Sequence, residues 1–298
     1  MHHAIAAWLT ERPGRAAPAA AICSVLSILL FTVLIVVAAA IPVLVSLREG
    51  QQKAWRTAVV AFAAAALVVV LLGQAILWQI LGLAMLIFGP LLLGSLLKRT
   101  GSLNLCYQLT VAATAGAVVL IHVVLPNPAG IWEGLVRQVL ESMQLTGFPI
   151  EDMETVVRVW AASMWGALAD MVMVPVLGAL FLGSWWHTLL SSPGSFGTEY
   201  RRLHLGRALG VVITGLIAAA FIVDSALIAS LSWVAFAALA FQGLAAAHRS
   251  KAGGGLTRGW LTAIYVLLIV PLSMSVTMVA LAMWGLVDNW LRPRAQTA

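Results

Sequence analysis

Charge is what this sequence has least of. Asp, Glu, Lys and Arg make up 9% of its 298 residues, where soluble proteins carry about 25%. Seventeen basic and 11 acidic side chains cannot cover the surface of a water-soluble globule of this length. Cysteine is nearly absent too. Cys23 and Cys106 stand alone, with no C-x-x-C and no His pair at metal spacing, so they exclude a disulfide scaffold and read as small buried hydrophobes. The signatures of soluble enzymes are also missing: there is no G-x-x-x-x-G-K-[ST], H-E-x-x-H, G-x-S-x-G or helix-opening G-x-G-x-x-G. No residue is nominated as catalytic, and the expectation is a non-enzyme without metal or cofactor.

What the sequence does have is apolar length. It is 62% hydrophobic, with a mean hydropathy of +1.00, and both values point to a polytopic integral membrane protein. A transmembrane helix needs about 20 mostly apolar residues. Eight stretches qualify or nearly qualify: 18–40, 56–73, 75–97, 104–125, 157–188, 208–223, 225–247 and 260–287. No stretch remains for a soluble domain, so 1–298 reads as one membrane domain.

The net charge of +6 invites a nucleic-acid reading, but its distribution argues against one. The cations sit in short clusters between apolar runs, at Arg12/Arg15, Arg48/Lys53/Arg56, Lys98/Arg99, Arg201/Arg202/Arg207, Arg249/Lys251/Arg258 and Arg292/Arg294. That pattern follows the positive-inside rule and contact with anionic lipid. Loops 48–56, 98–103, 189–207 and 248–259 are therefore expected in the cytoplasm. The acidic 126–158 segment, with Glu133, Glu141, Glu151, Asp152 and Glu154, is expected outside.

The ends fit this topology less well. A cytoplasmic N-terminus and a cytoplasmic 48–56 loop need an even number of crossings, and 16–47 is too short for two full spans. The run is also too long for a signal-peptide core, so it is expected to be retained. The same parity problem recurs at 260–287. Pro42 and Pro271 are candidate breaks, giving broken or re-entrant segments at both ends. External termini are the other solution.

Between the spans, 131–144 reads as an interfacial amphipathic helix. Ile131, Trp132, Leu135, Val136, Val139, Leu140 and Met143 form its apolar face, suited to the membrane surface or a neighbouring span. The next helix is predicted to start near Pro149 and to kink at Pro175. The tryptophans that flank the spans, among them Trp55, Trp132, Trp185, Trp186, Trp260 and Trp290, are expected as interface anchors.

Polar residues inside spans carry the functional argument, because burying a charge in lipid is costly. Asp170, in Trp165-Gly-Ala-Leu-Ala-Asp170-Met-Val-Met-Val-Pro175, lies deep in a long apolar helix. It is a candidate proton, cation or ligand contact; an Asp bonded to a neighbouring helix or trapped water is the structural alternative. His122 joins it only if the two helices pack closely. Asp224 is expected at a tight turn, as is Gln74 after Gly73. Gln108 and Gln242 are expected to bond between helices, and Gly206/Gly210 forms a G-x-x-x-G that permits close approach.

In loop 189–207, Pro193, Gly194 and Gly197 predict a tight turn. Glu199, Arg201, Arg202 and Arg207 can pair with one another, a lipid phosphate or a partner.

The run Phe196-Gly-Thr-Glu199-Tyr-Arg201-x-Leu203-x-Leu205-Gly206-Arg207 resembles a loop of the YybS-like bacterial membrane proteins. The closing Trp284-Gly-Leu-Val-Asp288-Asn-Trp290-Leu-Arg292 resembles their C-terminal end. The resemblance implies a bacterial inner-membrane location and no assigned activity. A more distant likeness to the substrate-binding subunits of vitamin transporters concerns fold alone.

The expectation is thus an all-α polytopic transmembrane bundle of about eight apolar helices, bound by membrane lipid. Its leading function is transport or small-molecule binding centred on Asp170, with a substrate or partner membrane protein and no nucleic acid. A membrane scaffold acting through loop 189–207 is the alternative.

Overall fold

The computed structural model describes residues 2–11, 14–30, 33–73, 76–147, 149–255 and 257–291. Among them are thirteen helices and no strand. In chain order these are α1 (His2–Glu11), α2 (Ala16–Leu29), α3 (Leu34–Arg48), α4 (Gln51–Leu71), α5 (Ile76–Thr100), α6 (Leu103–Val124), α7 (Gly130–Leu145), α8 (Met153–Ser191), α9 (Ser195–Arg201), α10 (Gly206–Ala220), α11 (Ala226–Ala252), α12 (Arg258–Ile269) and α13 (Pro271–Leu291).

Among the described residues, six helices are long and apolar enough to cross a membrane: α4, α5, α6, α8, α11 and α13. The number is up to seven if α9 and α10 count as one span. The chain is an all-α polytopic bundle, with fewer full-length spans than the eight expected. The difference lies at 18–40, where two short helices stand, and at 208–223, where α10 has 15 residues and qualifies only together with α9.

At the start, one span over 18–40 is replaced by two helices of 14 and 15 residues, each short of the roughly 20 needed to cross. They pack against one another and against α4. The break precedes residue 34, and Pro42 lies inside α3, contrary to expectation. Residues 38–46 around it are buried, and neighbouring helices can cover the carbonyl that a proline leaves unbonded. At the other end the expected break is present. Val270 is extended, and Pro271 opens α13, where its missing N–H costs nothing.

Two further expectations are corrected or met. α8 begins at Met153 rather than near Pro149, because Asp152 Oδ1 accepts the Thr155 N–H at 3.1 Å and caps the helix. Asp224 does sit in the turn between α10 and α11. Gln74 and the Arg12, Arg292 and Arg294 positions lie outside the described residues.

The chain divides into two compact units, Met1–Tyr107 with Val172–Arg202, and Gln108–Met171 with Leu203–Ala298. The first is built on small residues. Ala54, Ala58, Ala61 and Ala65 form a fully buried stripe on α4. Ala16, Ala20, Ser24 and Ser27 form the buried stripe of α2, which packs on α4. Lipid tails are as apolar as Leu, so membrane helices associate by close backbone approach, which small side chains permit. Val59, Val60, Leu67 and Leu71 on α4 are exposed, as a lipid-facing surface requires.

The second unit takes the same principle further. α11 packs on α13 so closely that a Cβ on Gly243 would lie 1.8 Å from the Leu281 carbonyl oxygen. One on Gly285 would lie 2.0 Å from that of Leu239. α7 rests on the start of α8: Val136 and Leu140 are buried with Val157 and Ala161, and Trp132 and Met143 pack around them. Its other apolar stripe, Ile131, Leu135 and Val139, is exposed. The apolar face is therefore shared between a neighbouring helix and an open side.

Candidate functional site

α8 carries Asp170 one turn beyond Gly166, in the second unit. At Gly166 a Cβ would lie 2.0 Å from the Ser230 carbonyl oxygen, and Ser230 Oγ donates to the Ala162 carbonyl at 2.9 Å. α8 and α11 are thus in backbone contact on the face that Asp170 extends. Asp170 Oδ1 is buried and has no hydrogen-bond partner. Such a group in an apolar helix is uncompensated and calls for an explanation.

His122, in the last turn of α6, is the second orphan. Its Nδ1 donates to the Val118 carbonyl at 2.9 Å, which leaves Nε2 as an acceptor, buried and without a partner. No ion pair joins His122 to Asp170. Both orphaned atoms are acceptors, so either would be satisfied by a donor. Among the described residues there is no group of three or more His, Cys, Asp or Glu that could hold a metal.

The loop residues are placed differently. Gly194, at φ +94°, supplies the turn, but Gly197 lies inside α9. Glu199 and Arg202 pair at 3.3 Å, and Arg201 donates to Thr198 Oγ1 at 3.2 Å. The Glu199–Arg202 pair is solvent-exposed and contributes little to stability. Arg207 is exposed in the first turn of α10.

The polar network that does form was only half visible in the sequence. Gln242 is fully buried on α11. Its Oε1 accepts the Leu205 N–H at 2.9 Å, and its Nε2 donates to Asp288 Oδ2 and Asn289 Oδ1, both at 3.3 Å. Asn289 Nδ2 donates to the Gly206 carbonyl at 3.3 Å, and Arg249 pairs with Asp288. From α6, Gln108 Nε2 donates to the carbonyls of His204 and Leu205 at 3.0 and 3.2 Å. The interhelical bonding expected of Gln242 is present, to α13; Gln108 bonds instead to the non-helical residues just ahead of α10.

The same network corrects the G-x-x-x-G reading. Gly206 has φ +79°, a conformation that favours glycine, and Gly210 makes room for Asn289, whose Nδ2 would lie 2.1 Å from a Cβ there. The network also joins Leu205 and Gly206 to Asp288 and Asn289, residues of the two segments that stood out in the sequence. Both donors of the Gln242 amide are used and its oxygen accepts the Leu205 N–H, so it acts as a clamp between chain segments.

Elsewhere, the Asp224 turn frames an open concavity of about 320 Å³ lined by Phe221, Ile222, Val223 and Ser225. Asp170 is not part of it. Trp186 is 4% exposed and belongs to the core of the first unit, contrary to its expected place as an anchor; Trp260 and Trp290 are exposed.

No family model, curated protein or solved structure matches the chain.

Proposed function

We propose that this is a multi-pass bacterial inner-membrane protein, akin to the YybS-like proteins, that binds or transports a small molecule at Asp170. One observation carries the reading: a buried carboxylate oxygen with no partner, in the middle of an apolar helix. An acceptor in low dielectric is best met by a cation, a proton, or a ligand bearing N–H or O–H groups. Close contact of α8 with α11 at Gly166 and Ser230 excludes lipid from the adjoining face. The scaffold reading has less support, because Glu199 and Arg202 are engaged with one another.

The test compares small-molecule inventories of cells and medium for strains expressing the wild type, Asp170→Asn, or Arg201→Ala/Arg202→Ala at equal levels in the membrane. A compound whose distribution shifts with the wild type and the Arg variant, but not with Asp170→Asn, supports transport at Asp170. Identical distributions for the wild type and Asp170→Asn count against it.

A further inference from the structure

A second unexplained group lies in the first unit, where α3, α5 and the C-terminal half of α8 meet. Val43 of α3 is wedged between two glycines. A Cβ on Gly94 would lie 3.1 Å from Val43 Cγ1, and one on Gly183 would lie 2.7 Å from Val43 Cβ. The three helices run in the same direction here: Gly178 faces Val36 and Gly183 faces Ala40, while Gly94 faces Val43 and Lys98 reaches Ser46. One turn beyond each glycine, on the same face, stand Lys98 and His187. One turn beyond Val43, α3 ends at Arg48.

The chemistry of that end is one-sided. Lys98 Nζ donates to the Ser46 carbonyl at 2.8 Å and pairs with no carboxylate. Arg48 is exposed, and among the described residues its guanidinium has no partner. His187 Nδ1 is buried with no partner, as is Nε1 of the neighbouring Trp186. The positive charges of both Arg48 and Lys98 act on His187. The unit has three carboxylates, Glu11, Glu49 and Glu199. Glu49, beside Arg48, pairs with Lys53 at 3.0 Å, and Glu199 pairs with Arg202. Two cations and a buried imidazole nitrogen are therefore close together, and among the described residues no carboxylate pairs with either cation.

We propose that Arg48, Lys98 and His187 form a binding site for a phosphate group, either a lipid headgroup or free phosphate. A guanidinium grips a phosphate through two parallel N–H···O bonds, an ammonium adds a point charge, and His187 Nδ1–H supplies a directed donor. Topology alone asks only for positive charge in the loops. It does not explain a buried, unpartnered nitrogen on α8 beside them.

The test uses the full chain in mild detergent, with two probes: phosphatidylglycerol, read as retained lipid by native mass spectrometry, and inorganic phosphate, read by calorimetry. Arg48→Gln/Lys98→Gln should weaken binding about tenfold or more, the size expected for lost charge-assisted bonds. His187→Leu should also weaken it, although a neutral imidazole carries no charge to lose. Lys251→Gln, which removes a cation of the second unit, should change nothing, and Lys98→Arg should bind as the wild type does. Lipid retained and not displaced by phosphate identifies a headgroup site; calorimetric binding of phosphate that displaces the lipid identifies free phosphate. The proposal is overturned if neither probe binds, if Lys251→Gln costs as much as the double variant, or if His187→Leu binds like the wild type. Thermal unfolding of each variant separates lost binding from lost fold, and Lys98→Arg and His187→Leu keep the test decisive if the double variant unfolds.

Discussion

Gln242→Leu removes a buried amide at nearly constant volume, and the structure gives the size of the effect. Gln242 is 0% exposed and Leu205 is 2% exposed, so no water can replace the bond that Gln242 Oε1 accepts from the Leu205 N–H. An orphaned buried N–H costs about 1–3 kcal/mol. The two bonds to Asp288 and Asn289 are longer, at 3.3 Å, and each contributes about 0.6 kcal/mol, as side-chain bonds between membrane helices do. Arg249 still pairs with Asp288, and Asn289 still reaches Gly206, so neither is left bare. Loss of the buried amide's own desolvation offsets part of the sum, and the net destabilisation should be about 2–3 kcal/mol. Reversible unfolding in mixed micelles with increasing SDS measures it. Gln242→Glu should be at least as harmful, because it keeps the acceptor for Leu205 but sets a carboxylate against Asp288. A Gln242→Leu variant within about 0.5 kcal/mol of the wild type would refute the clamp.

Unfolding experiments test three further predictions. Gly243→Ala or Gly285→Ala drives a Cβ into a carbonyl oxygen of the partner helix and should cost about 1–3 kcal/mol or more, as overpacking does. Ala58→Leu, in the fully buried stripe of α4, should cost a similar amount, whereas Val59→Leu on the exposed side should be neutral within about 0.5 kcal/mol. The third involves pH. Glu154, in the charged turn ahead of the apolar part of α8, bonds both nitrogens of Arg137 at 2.7 and 2.8 Å, which holds its carboxyl below the usual range. Asp152 is held low by its bonds to Thr155. A carboxylate with a lowered folded-state pKa stabilises above its unfolded pKa, and that contribution is lost as pH falls through the folded value. The unfolding temperature should therefore drop on acidification below the ordinary carboxylate range, by less in Glu154→Gln, and a pH profile identical in the two proteins would contradict the pairing.

Much of this architecture was legible from hydropathy alone, because a span must be apolar over about 20 residues whatever it packs against. The Asp224 turn and the break at Pro271 followed from local chemistry. Pro42 misled because a proline's effect depends on what surrounds it, and residues 38–46 are buried by neighbours that no local pattern names. Asp170, His122 and Gln242 were visible as polar residues in apolar runs. Their fates were not: Gln242 is satisfied by residues 37 to 47 positions away, while Asp170 Oδ1 is satisfied by none. Asp288, Asn289 and Arg249 looked like an end segment and a topology charge until α11 and α13 brought them together. Gly210 likewise gave no sign that its missing side chain makes room for Asn289.

The central claim is that Asp170 is left unpaired within the chain because a ligand or proton meets it. Native mass spectrometry of the protein, released gently from its own membrane, tests this most directly. A small molecule that remains bound to the wild type and is absent from an equally folded Asp170→Asn variant is the predicted result. Indistinguishable spectra, with no bound species that depends on Asp170, would contradict the claim of a ligand at this site.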